Sequence, residues 1–431
     1  MNHEQTLMKI YTNPSETQLH ELLQRPQGDL RTLDKSVRKI MDAVRKRGDK
    51  AVRKFTKEFD GIGLRYMDVK EREFRAAEKA LDPALKAAIN TAARNIRSFH
   101  ESQLRAEHPV ETMPDVRCWR KAIPIQSVGL YIPGGTAPLF STVLMLGIPA
   151  VLAGCPDIIL CSPPDSEGNI HPAILFAAKT VGVTRIFKAG GVQAIAAMAY
   201  GTESIPRVHK IFGPGNGYVT YAKQLAQQEG VAIDLPAGPS EVCVLADATV
   251  NPSFVAADLL SQAEHGRDSQ VLLVSNNRGT VDKVLEKLQQ QLSVLNRKDL
   301  ADSALQHSKA IVCESLDDCM AIVNAYAPEH LILACENPEH WAEKVTAAGS
   351  VFLGHFTPES AGDYASGTNH TLPTNGHARA YSGVSVDSYQ KKVTFQQISE
   401  AGLRLLGPVI VTMAEAEGLQ GHAEAVRVRL S

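Results

Sequence analysis

The feature that most constrains this chain is a long alternation of short β-rich runs and helical stretches that begins at Ser127. Predicted strands of the first series, each followed by a Gly or Pro turn and a helical stretch, lie at 128–132, 158–161, 185–188 and 208–212. Those of a second series lie at 241–246, 270–274, 309–313, 330–334 and 350–353. Strands that alternate with helices in this way form parallel sheets covered by helices. The sequence therefore predicts two successive parallel α/β units.

The regions on either side of this alternation have a different pattern. Residues 33–59 and 71–100 carry apolar positions at helical spacing among Lys, Arg and Glu, which predicts a helical entry region. From about residue 385 the chain changes to a strand and helix tail that is free to pack outside its own core. At 431 residues the chain is longer than a single hydrophobic core usually supports, so we expect several packing units.

Charge and cysteine usage exclude several classes of partner. The formal net charge is −2, so the chain offers no basic footprint for nucleic acid or an anionic membrane. The seven cysteines are odd in number and form no Cys-x-x-Cys pair, which favours a reducing compartment over a disulfide framework. Neither a signal pattern nor a run of about 18 apolar residues occurs. We therefore expect a cytoplasmic protein that binds no nucleic acid and no membrane.

Residues suited to metal binding and proton transfer recur through the C-terminal half, and none of the sets contains a cysteine. They are Gln262 with His265, Glu329 with His330, Asp363 with His370, and Glu417 with His422. Gln262 and His265 are three positions apart, so on a helix they share one face. Oxygen and imidazole ligands suit zinc or a neighbouring divalent ion. Taken alone, the first set could equally be a polar helix end, and the second a surface turn between a helix and a strand.

Two glycine-rich segments follow predicted strand ends, with the sequences GLYIPGG at 129–135 and IFGPGNGY at 211–218. Each could bring backbone N–H groups close to a phosphate at the start of a helix. Neither matches Gly-x-Gly-x-x-Gly, and a glycine turn interrupted by proline is more often a tight connection. Both interpretations stay open at this point.

Five longer motifs, taken together and in order, closely resemble the histidinol dehydrogenase family. They are IFGPGN at 211–216, PAGPSEV at 236–242, LLSQAEHG at 259–266, APEHL at 327–331 and PESAGDYASGTNH at 358–370. The resemblance runs from about residue 30 to the C-terminus. It implies an α/β fold of two incomplete Rossmann-like parallel-sheet domains with helical N-terminal and C-terminal extensions.

The resemblance also implies a division of the chain. We expect an N-terminal helical arm over 1–30 and a first α/β domain, built from 31–132 and 238–384, that carries most of the metal and catalytic residues. A second α/β domain over 133–237 would provide the NAD contacts. A C-terminal extension over 385–431 would be exchanged with the partner subunit.

The activity and the site residues implied by the resemblance are specific. Members of the family are homodimers with shared active sites and one Zn²⁺ per subunit, and they oxidise L-histidinol to L-histidine in two NAD⁺-dependent steps. Carried over motif by motif, the catalytic pair is Glu329 and His330, and the zinc ligands are Gln262, His265, Asp363 and His422. The NAD contacts are Tyr131, Gln193 and Asn216. The substrate contacts are Ser240, Gln262, His265, His330, Asp363, His370, Glu417 and His422.

Other functions remain as alternatives. A related enzyme acting on another polar alcohol, such as a sulfonated propanediol, would call for extra cationic residues and would not need His370, Glu417 and His422. A non-catalytic two-domain binder would not need the pair at 329–330. A thiolate-ligated zinc alcohol dehydrogenase would need cysteines at a ligand spacing that this chain lacks. A nucleophilic role for Cys155 in aldehyde oxidation is a further hypothesis.

Overall fold

The computed structural model describes residues 7–25, 30–134, 138–235 and 238–431, without the side chains of residues 30 and 31. Several predicted features lie outside the described residues. They are residues 1–6 and 26–29 of the expected N-terminal arm, Gly135 of the first glycine-rich segment, and Pro236 and Ala237 of the motif at 236–242.

The described strands follow the predicted series closely. They are β1 (Lys9–Thr12), β2 (Val110–Met113), β3 (Val116–Pro124), β4 (Ser127–Tyr131), β5 (Asp157–Ser162), β6 (Arg185–Lys188), β7 (Lys210–Phe212), β8 (Ala232–Ile233), β9 (Glu241–Ala246), β10 (Gln270–Ser275), β11 (Lys309–Val312), β12 (His330–Ala334), β13 (Ser350–Leu353) and β14 (Gln390–Ile398). Both predicted series of strands between residues 127 and 353 are confirmed.

Helices alternate with these strands. They are α1 (Glu16–Leu22), α2 (Asp34–Phe59), α3 (Glu71–Ala80), α4 (Pro83–Glu101), α5 (Phe140–Leu152), α6 (Pro172–Val181), α7 (Gly191–Tyr200), α8 (Gly217–Gln228), α9 (Pro252–Ala263), α10 (Arg278–Leu292), α11 (Lys298–Leu305), α12 (Leu316–Tyr326), α13 (Pro338–Ala342), α14 (Glu359–Tyr364), α15 (Glu400–Ala416) and α16 (Gln420–Arg427). Within the described ranges, none of them combines the length and the apolar character needed to cross a bilayer.

The first α/β unit is a five-stranded parallel sheet in the order β6-β5-β4-β7-β8. The central residues of its strands are mostly apolar, as is typical of a sheet with both faces covered by helices. Successive residues of β5 alternate between the faces: Leu160 belongs to the core with α4, α5 and α6, while Ile159 and Cys161 belong to the core with α2, α7 and α8. The sheet is therefore buried on both sides.

The second unit is a six-stranded parallel sheet in the order β1-β11-β10-β9-β12-β13. Helices α9, α10 and α11 supply the core on one face, and α12 supplies the core on the other. The N-terminal segment adds a strand as well as a helix, since β1 joins the edge of this sheet beside β11. The two parallel sheets confirm the predicted fold class.

The helices over 34–101 pack differently from the division expected from the resemblance. Apolar side chains of α2, such as Val37 and Val52, lie in a core with α7, and Ile89 and Ile96 of α4 lie in a core with α5. In packing terms these helices and β4 therefore belong with the five-stranded sheet rather than with residues 238–384. The apolar side chains of α2 and α4 pack against α7 and α5, two helices that cover the five-stranded sheet. This packing explains the difference. The domain boundaries themselves stay a prediction.

The predicted strand and helix tail is confirmed, and it begins as part of a third sheet. Strand β14 pairs antiparallel with β3 from Gln390↔Pro124 to Ile398↔Val116, and β2 completes this sheet on the other side of β3. Helices α15 and α16 follow and pack on each other. Along α15 the side chains of Leu405, Val409 and Met413 are 54%, 52% and 61% exposed. The tail thus presents an apolar stripe on its outer surface.

Candidate active site

The predicted catalytic pair lies at the amino end of β12, beside the amino end of the neighbouring parallel strand β9. His330 is the first residue of β12, and Glu241 is the first residue of the adjacent β9. The main-chain N–H of Glu241 donates to Oε2 of Glu329 at 2.9 Å, and its carbonyl oxygen lies 3.0 Å from Nδ1 of His330. A single residue of β9 therefore positions both side chains. Both are buried.

These contacts determine which nitrogen of His330 is free to act. A carbonyl oxygen can only accept, so Nδ1 carries the proton that is donated to Glu241. Nε2 is buried, has no hydrogen-bond partner among the described residues, and lies 3.6 Å from Oδ1 of Asp363, longer than a hydrogen bond. In the neutral ring this nitrogen carries the lone pair. The neutral ring of His330 therefore accepts a proton at Nε2, and the cationic ring donates one from the same atom.

The environment of the buried pair raises the pKa of both groups. Burial raises the pKa of Glu329 to about 8, because its charged form is poorly solvated. Burial acts to lower the pKa of His330, but the carboxylates of Glu329 and Asp363 outweigh it and raise that pKa to about 10. Strong perturbations of this kind are typical of catalytic groups.

A cluster of metal-capable donors lies beside His330, and it includes Asp363, whose Oδ1 is 3.6 Å from Nε2 of His330. Donor atoms of His265, Glu359 and Asp363 all lie within 4.8 Å of one another. His265 follows the end of α9, and both carboxylates belong to α14. Glu359 is buried, Asp363 is partly buried and His265 is exposed, so the cluster opens towards solvent on the imidazole side. Such a mixed oxygen and nitrogen set can hold zinc or a harder divalent ion.

Glu359 is a site residue that the reading of the sequence missed. Its Oε2 accepts from the hydroxyl of Ser261 at 2.7 Å. With the amide of Gln262 oriented to satisfy its neighbours, the Gln262 nitrogen donates to Oε1 of Glu359 at 2.9 Å and its oxygen accepts from the Glu241 N–H at 3.1 Å. Burial raises the pKa of Glu359 to about 7. The available signal was its spacing, because Glu359 and Asp363 are four apart and share one face of α14.

His370 lies at the junction between the two α/β units. Its Nδ1 donates to the carbonyl of Asp363 at 2.9 Å, so Nε2 accepts from the hydroxyl of Thr142 at 3.1 Å. Thr142 belongs to α5 of the five-stranded unit, whereas Asp363 follows the six-stranded sheet. Burial lowers the pKa of His370, which agrees with the accepting role of Nε2. The ring therefore ties the metal-capable cluster to the neighbouring unit.

The three predicted NAD contacts line one cavity on the five-stranded unit. Tyr131, Gln193 and Asn216 all border a cavity of about 1010 Å³, together with residues of α2 and α7. Oε1 of Gln193 is buried without a hydrogen-bond partner among the described residues, and so is the hydroxyl of Ser162 on the same cavity. Both atoms lie beneath the cavity wall and are not exposed to it. A cavity of this size can hold a small-molecule cofactor.

The glycine-rich turn after β7 is shaped by close approach to β4. Gly213 has a φ of +126°, and a Cβ atom there would lie 2.0 Å from the carbonyl oxygen of Tyr131. Its N–H already donates to the carboxylate of Asp234 at 2.7 Å. Asn216 caps α8 by accepting from the N–H of Val219. These bonds favour the tight-connection interpretation for Gly213, while Asn216 still borders the cavity.

The remaining predicted site residues stand apart from this network. Ser240 is partly buried and directly precedes Glu241. Glu417 and His422 are exposed on the tail, and no hydrogen bond or ion pair among the described residues joins them to the cluster. Cys155 is buried beside the carbonyl of Tyr389, and burial raises the pKa of its thiol to about 11. A neutral thiol in this environment argues against the nucleophile hypothesis.

Comparison with known proteins identifies one consistent family. The model of the family described as histidinol dehydrogenase matches residues 23–430. A histidinol dehydrogenase from Bacteroides thetaiotaomicron is 57% identical over 425 residues, which cover 99% of each chain. One from Bacteroides fragilis is 56% identical over 423 residues, covering 98% of this chain and 99% of the relative. The crystal structure of a histidinol dehydrogenase from Elizabethkingia anophelis superposes with a TM-score of 0.97 at 54% identity, covering 99% of each chain.

Proposed function

The chain belongs to the histidinol dehydrogenase family, and on that premise we propose that it oxidises L-histidinol to L-histidine through L-histidinaldehyde, using two NAD⁺ and a site Zn²⁺. Histidine biosynthesis is the pathway that this activity serves. The observation that carries the proposal is the buried Glu329–His330 pair, which a single residue of β9 holds at the edge of a metal-capable cluster.

His330 is proposed as the base of the alcohol oxidation. When the carbon of the alcohol loses hydride, its hydroxyl must lose a proton to give the aldehyde. When the ring of His330 is neutral, Nε2 is the buried atom that takes this proton, because Nδ1 is committed to the Glu241 carbonyl. The neighbouring carboxylates then stabilise the charged ring. The same contacts keep the ring from rotating between the two half-reactions.

Glu329 is proposed to act in the aldehyde oxidation. An aldehyde has no second hydride to give until water adds to its carbonyl and forms the hydrate. A carboxylate with a raised pKa can take a proton from that water and return it later. Glu329 has this property through burial, and its Oε2 is kept in place by the Glu241 N–H. Water and aldehyde thus yield the carboxylic acid, a proton and a second hydride.

The residues present fit a zinc ion. Gln262, His265 and Asp363 would hold it from one chain, with His422 of the partner subunit as the fourth protein ligand. Glu359 lies within the same donor cluster and is a further candidate. Bound zinc would supply an anchoring site for the nitrogens of the amino alcohol and its imidazole ring. In the protein itself, the buried amide of Gln262 and the two carboxylates of α14 hold their donor atoms beside His330.

NAD⁺ would occupy the cavity lined by Tyr131, Gln193 and Asn216, and would accept the hydride in each half-reaction. The hydroxyl of Tyr131 accepts from the N–H of Gly191 at 3.0 Å, which fixes the ring against the start of α7. The side chain of Gln193 is buried at the cavity wall, and its Oε1 has no hydrogen-bond partner among the described residues. These residues would orient the dinucleotide on the five-stranded unit.

We also propose a homodimer with shared sites. Glu417 and His422 are exposed on the tail, and the stripe of Leu405, Val409 and Met413 on the same tail is exposed although apolar. Burial of this stripe by a second copy would bring the tail of one chain to the site of the other. A cytoplasmic location belongs to the proposal as well, because all seven cysteines are free.

The stoichiometry of NADH formation tests the proposed function. Purified protein supplied with limiting L-histidinol and excess NAD⁺ should form two NADH per histidinol, read by absorbance. A carbonyl trap added during turnover should capture little aldehyde, since both half-reactions use the same site. One NADH per substrate, or most of the product recovered as trapped aldehyde, would refute it. A sulfonated propanediol serves as the alternative substrate, and preferential turnover of that alcohol would also refute the proposal.

A further inference from the structure

A buried ion pair outside the donor cluster reaches the catalytic pair through the main chain. Strand β9 starts at Glu241, whose N–H and carbonyl hold Glu329 and His330. The side chain of Glu241 is only 1% exposed and is bound by another part of the molecule. Its carboxylate accepts from the N–H of Asn375 at 2.8 Å and from the guanidinium of Arg25.

The contact with Arg25 is bidentate. Nε and Nη2 of Arg25 each lie 3.0 Å from a different oxygen of Glu241, although the two residues are 216 positions apart in sequence. Two parallel charge-assisted hydrogen bonds fix both the distance and the plane of the carboxylate. The Arg25 side chain is 8% exposed, so water competes little for these bonds.

The same guanidinium also binds the turn that leads into Glu329. Nη2 of Arg25 donates to the carbonyl of Tyr326 at 2.6 Å and lies 3.4 Å from that of Ala327. The guanidinium stacks over the Tyr326 ring at 3.8 Å. Ala327 has a φ of +51°, a left-handed conformation that a residue with a Cβ adopts only when its surroundings hold it there.

We propose that Arg25 is a positioning residue for the reaction: by joining the start of β9 to the turn before β12, its guanidinium holds Glu329 and His330 in register with each other. This inference rests on the proposed function, because it takes those two residues as the catalytic pair. Arg25 touches neither of them in the contacts described. It acts through Glu241 and through the turn at 326–327.

The test is the variant Arg25→Lys in the full-length protein, compared with wild type in each half-reaction. Lysine keeps the charge but cannot form the bidentate pair and the carbonyl contact together. We expect kcat to fall about 10- to 100-fold in both half-reactions, as is usual when a group that orients catalytic residues is lost. The KM for NAD⁺ should stay within about twofold, because the proposed NAD cavity lies on the other sheet.

Arg379→Lys is the matched control. Arg379 is exposed and donates to the carbonyl of Ala325, one residue before Tyr326, without touching Glu241 in the described contacts. It should leave kcat unchanged. Circular dichroism confirms that each variant is folded at the assay temperature. A purely stabilising role for Arg25 would lower the melting temperature but leave kcat of the folded protein intact, and that result would overturn the proposal.

Glu241→Gln keeps the test decisive if Arg25→Lys fails to fold. The amide retains the size of the side chain and can still accept from Asn375, but it loses the charged partnership with Arg25. We expect a similar fall in kcat, and a double variant no slower than the slower single variant. Wild-type kcat in folded Glu241→Gln would overturn the inference. Absence of NADH formation by the wild-type protein itself would instead count against the proposed function.

Discussion

Replacing Glu329 with glutamine should separate the two half-reactions. The amide oxygen of glutamine can still accept the Glu241 N–H that Glu329 accepts at 2.9 Å, so the side chain should stay in place. The carboxylate is lost, and with it a group whose pKa burial raises to about 8. Losing the general base for hydration should slow aldehyde oxidation about 10²- to 10⁴-fold, equivalent to about 3–5 kcal/mol in activation free energy.

Alcohol oxidation should suffer much less in Glu329→Gln. His330 keeps its anchor on the Glu241 carbonyl at 3.0 Å, so its Nε2 remains in position. Loss of the neighbouring charge lowers the pKa of His330 from about 10, which makes the ring a weaker base but leaves more of it deprotonated. These effects oppose each other, and we expect a net change within about tenfold.

Single-turnover stopped-flow measurements of NADH formation, started from histidinol or from histidinaldehyde, distinguish the two effects. Glu264→Gln makes the same chemical change beside His265 but outside the donor cluster, and it should leave both rates within about twofold. Equal losses in the two half-reactions of Glu329→Gln, or an unchanged aldehyde step, would refute the assignment of Glu329 to water activation.

Three further predictions concern the metal, the tail and the core. Chelation should abolish activity without changing the far-ultraviolet circular dichroism, and added zinc should restore the activity. Unfolding on chelation would contradict a metal site that forms on two α/β units already folded without the metal. Inactive His422→Ala and His265→Ala proteins, mixed under conditions of subunit exchange, should regain activity towards half the wild-type value per mixed dimer, whereas none should return if the tail serves its own chain. Lys223→Met should lower the free energy of unfolding by about 3–5 kcal/mol, measured by urea titration, because the buried carboxylate of Asp234 loses its ion-pair partner. A loss below about 1 kcal/mol would contradict this and show that main-chain N–H donors alone satisfy Asp234.

The sequence predicts the two parallel sheets well because their strands carry a strong local signal. Residues 242–246 of β9 and 331–334 of β12 are buried on both faces and are continuously apolar. Strand β3 carries no such signal, since most of its residues are only partly buried and several are charged, and its long pairing is with β14. The register between β3 and β14 is set by the tertiary fold, so local sequence does not predict it.

Prediction of the candidate site from sequence has the same limit, because contacts between distant segments carry no local signal. The assignment of Gln262, His265 and Asp363 as metal ligands stays a prediction. In the structure, His265 and Asp363 lie in one donor cluster, and Gln262 contacts Glu359 of that cluster. Glu359 was missed, although it lies one helical turn before Asp363. The role of Arg25 could not be foreseen, because a charged residue in a polar segment is ordinarily solvated, and its burial depends on a carboxylate 216 residues away.

The pairing of β1 with β11 determines when a newly made chain can complete its fold. Strand β1 leaves the ribosome early, but its partner, with the register Lys9↔Lys309, is translated only about 300 residues later. At usual elongation rates that delay is roughly 15–60 s. The five-stranded sheet, whose strands lie between Ser127 and Ile233, can form during this interval. Strand β1 must therefore remain unpaired during this interval. A ribosome-bound intermediate should be sensitive to proteases at residues 7–25 while its five-stranded sheet is already protected.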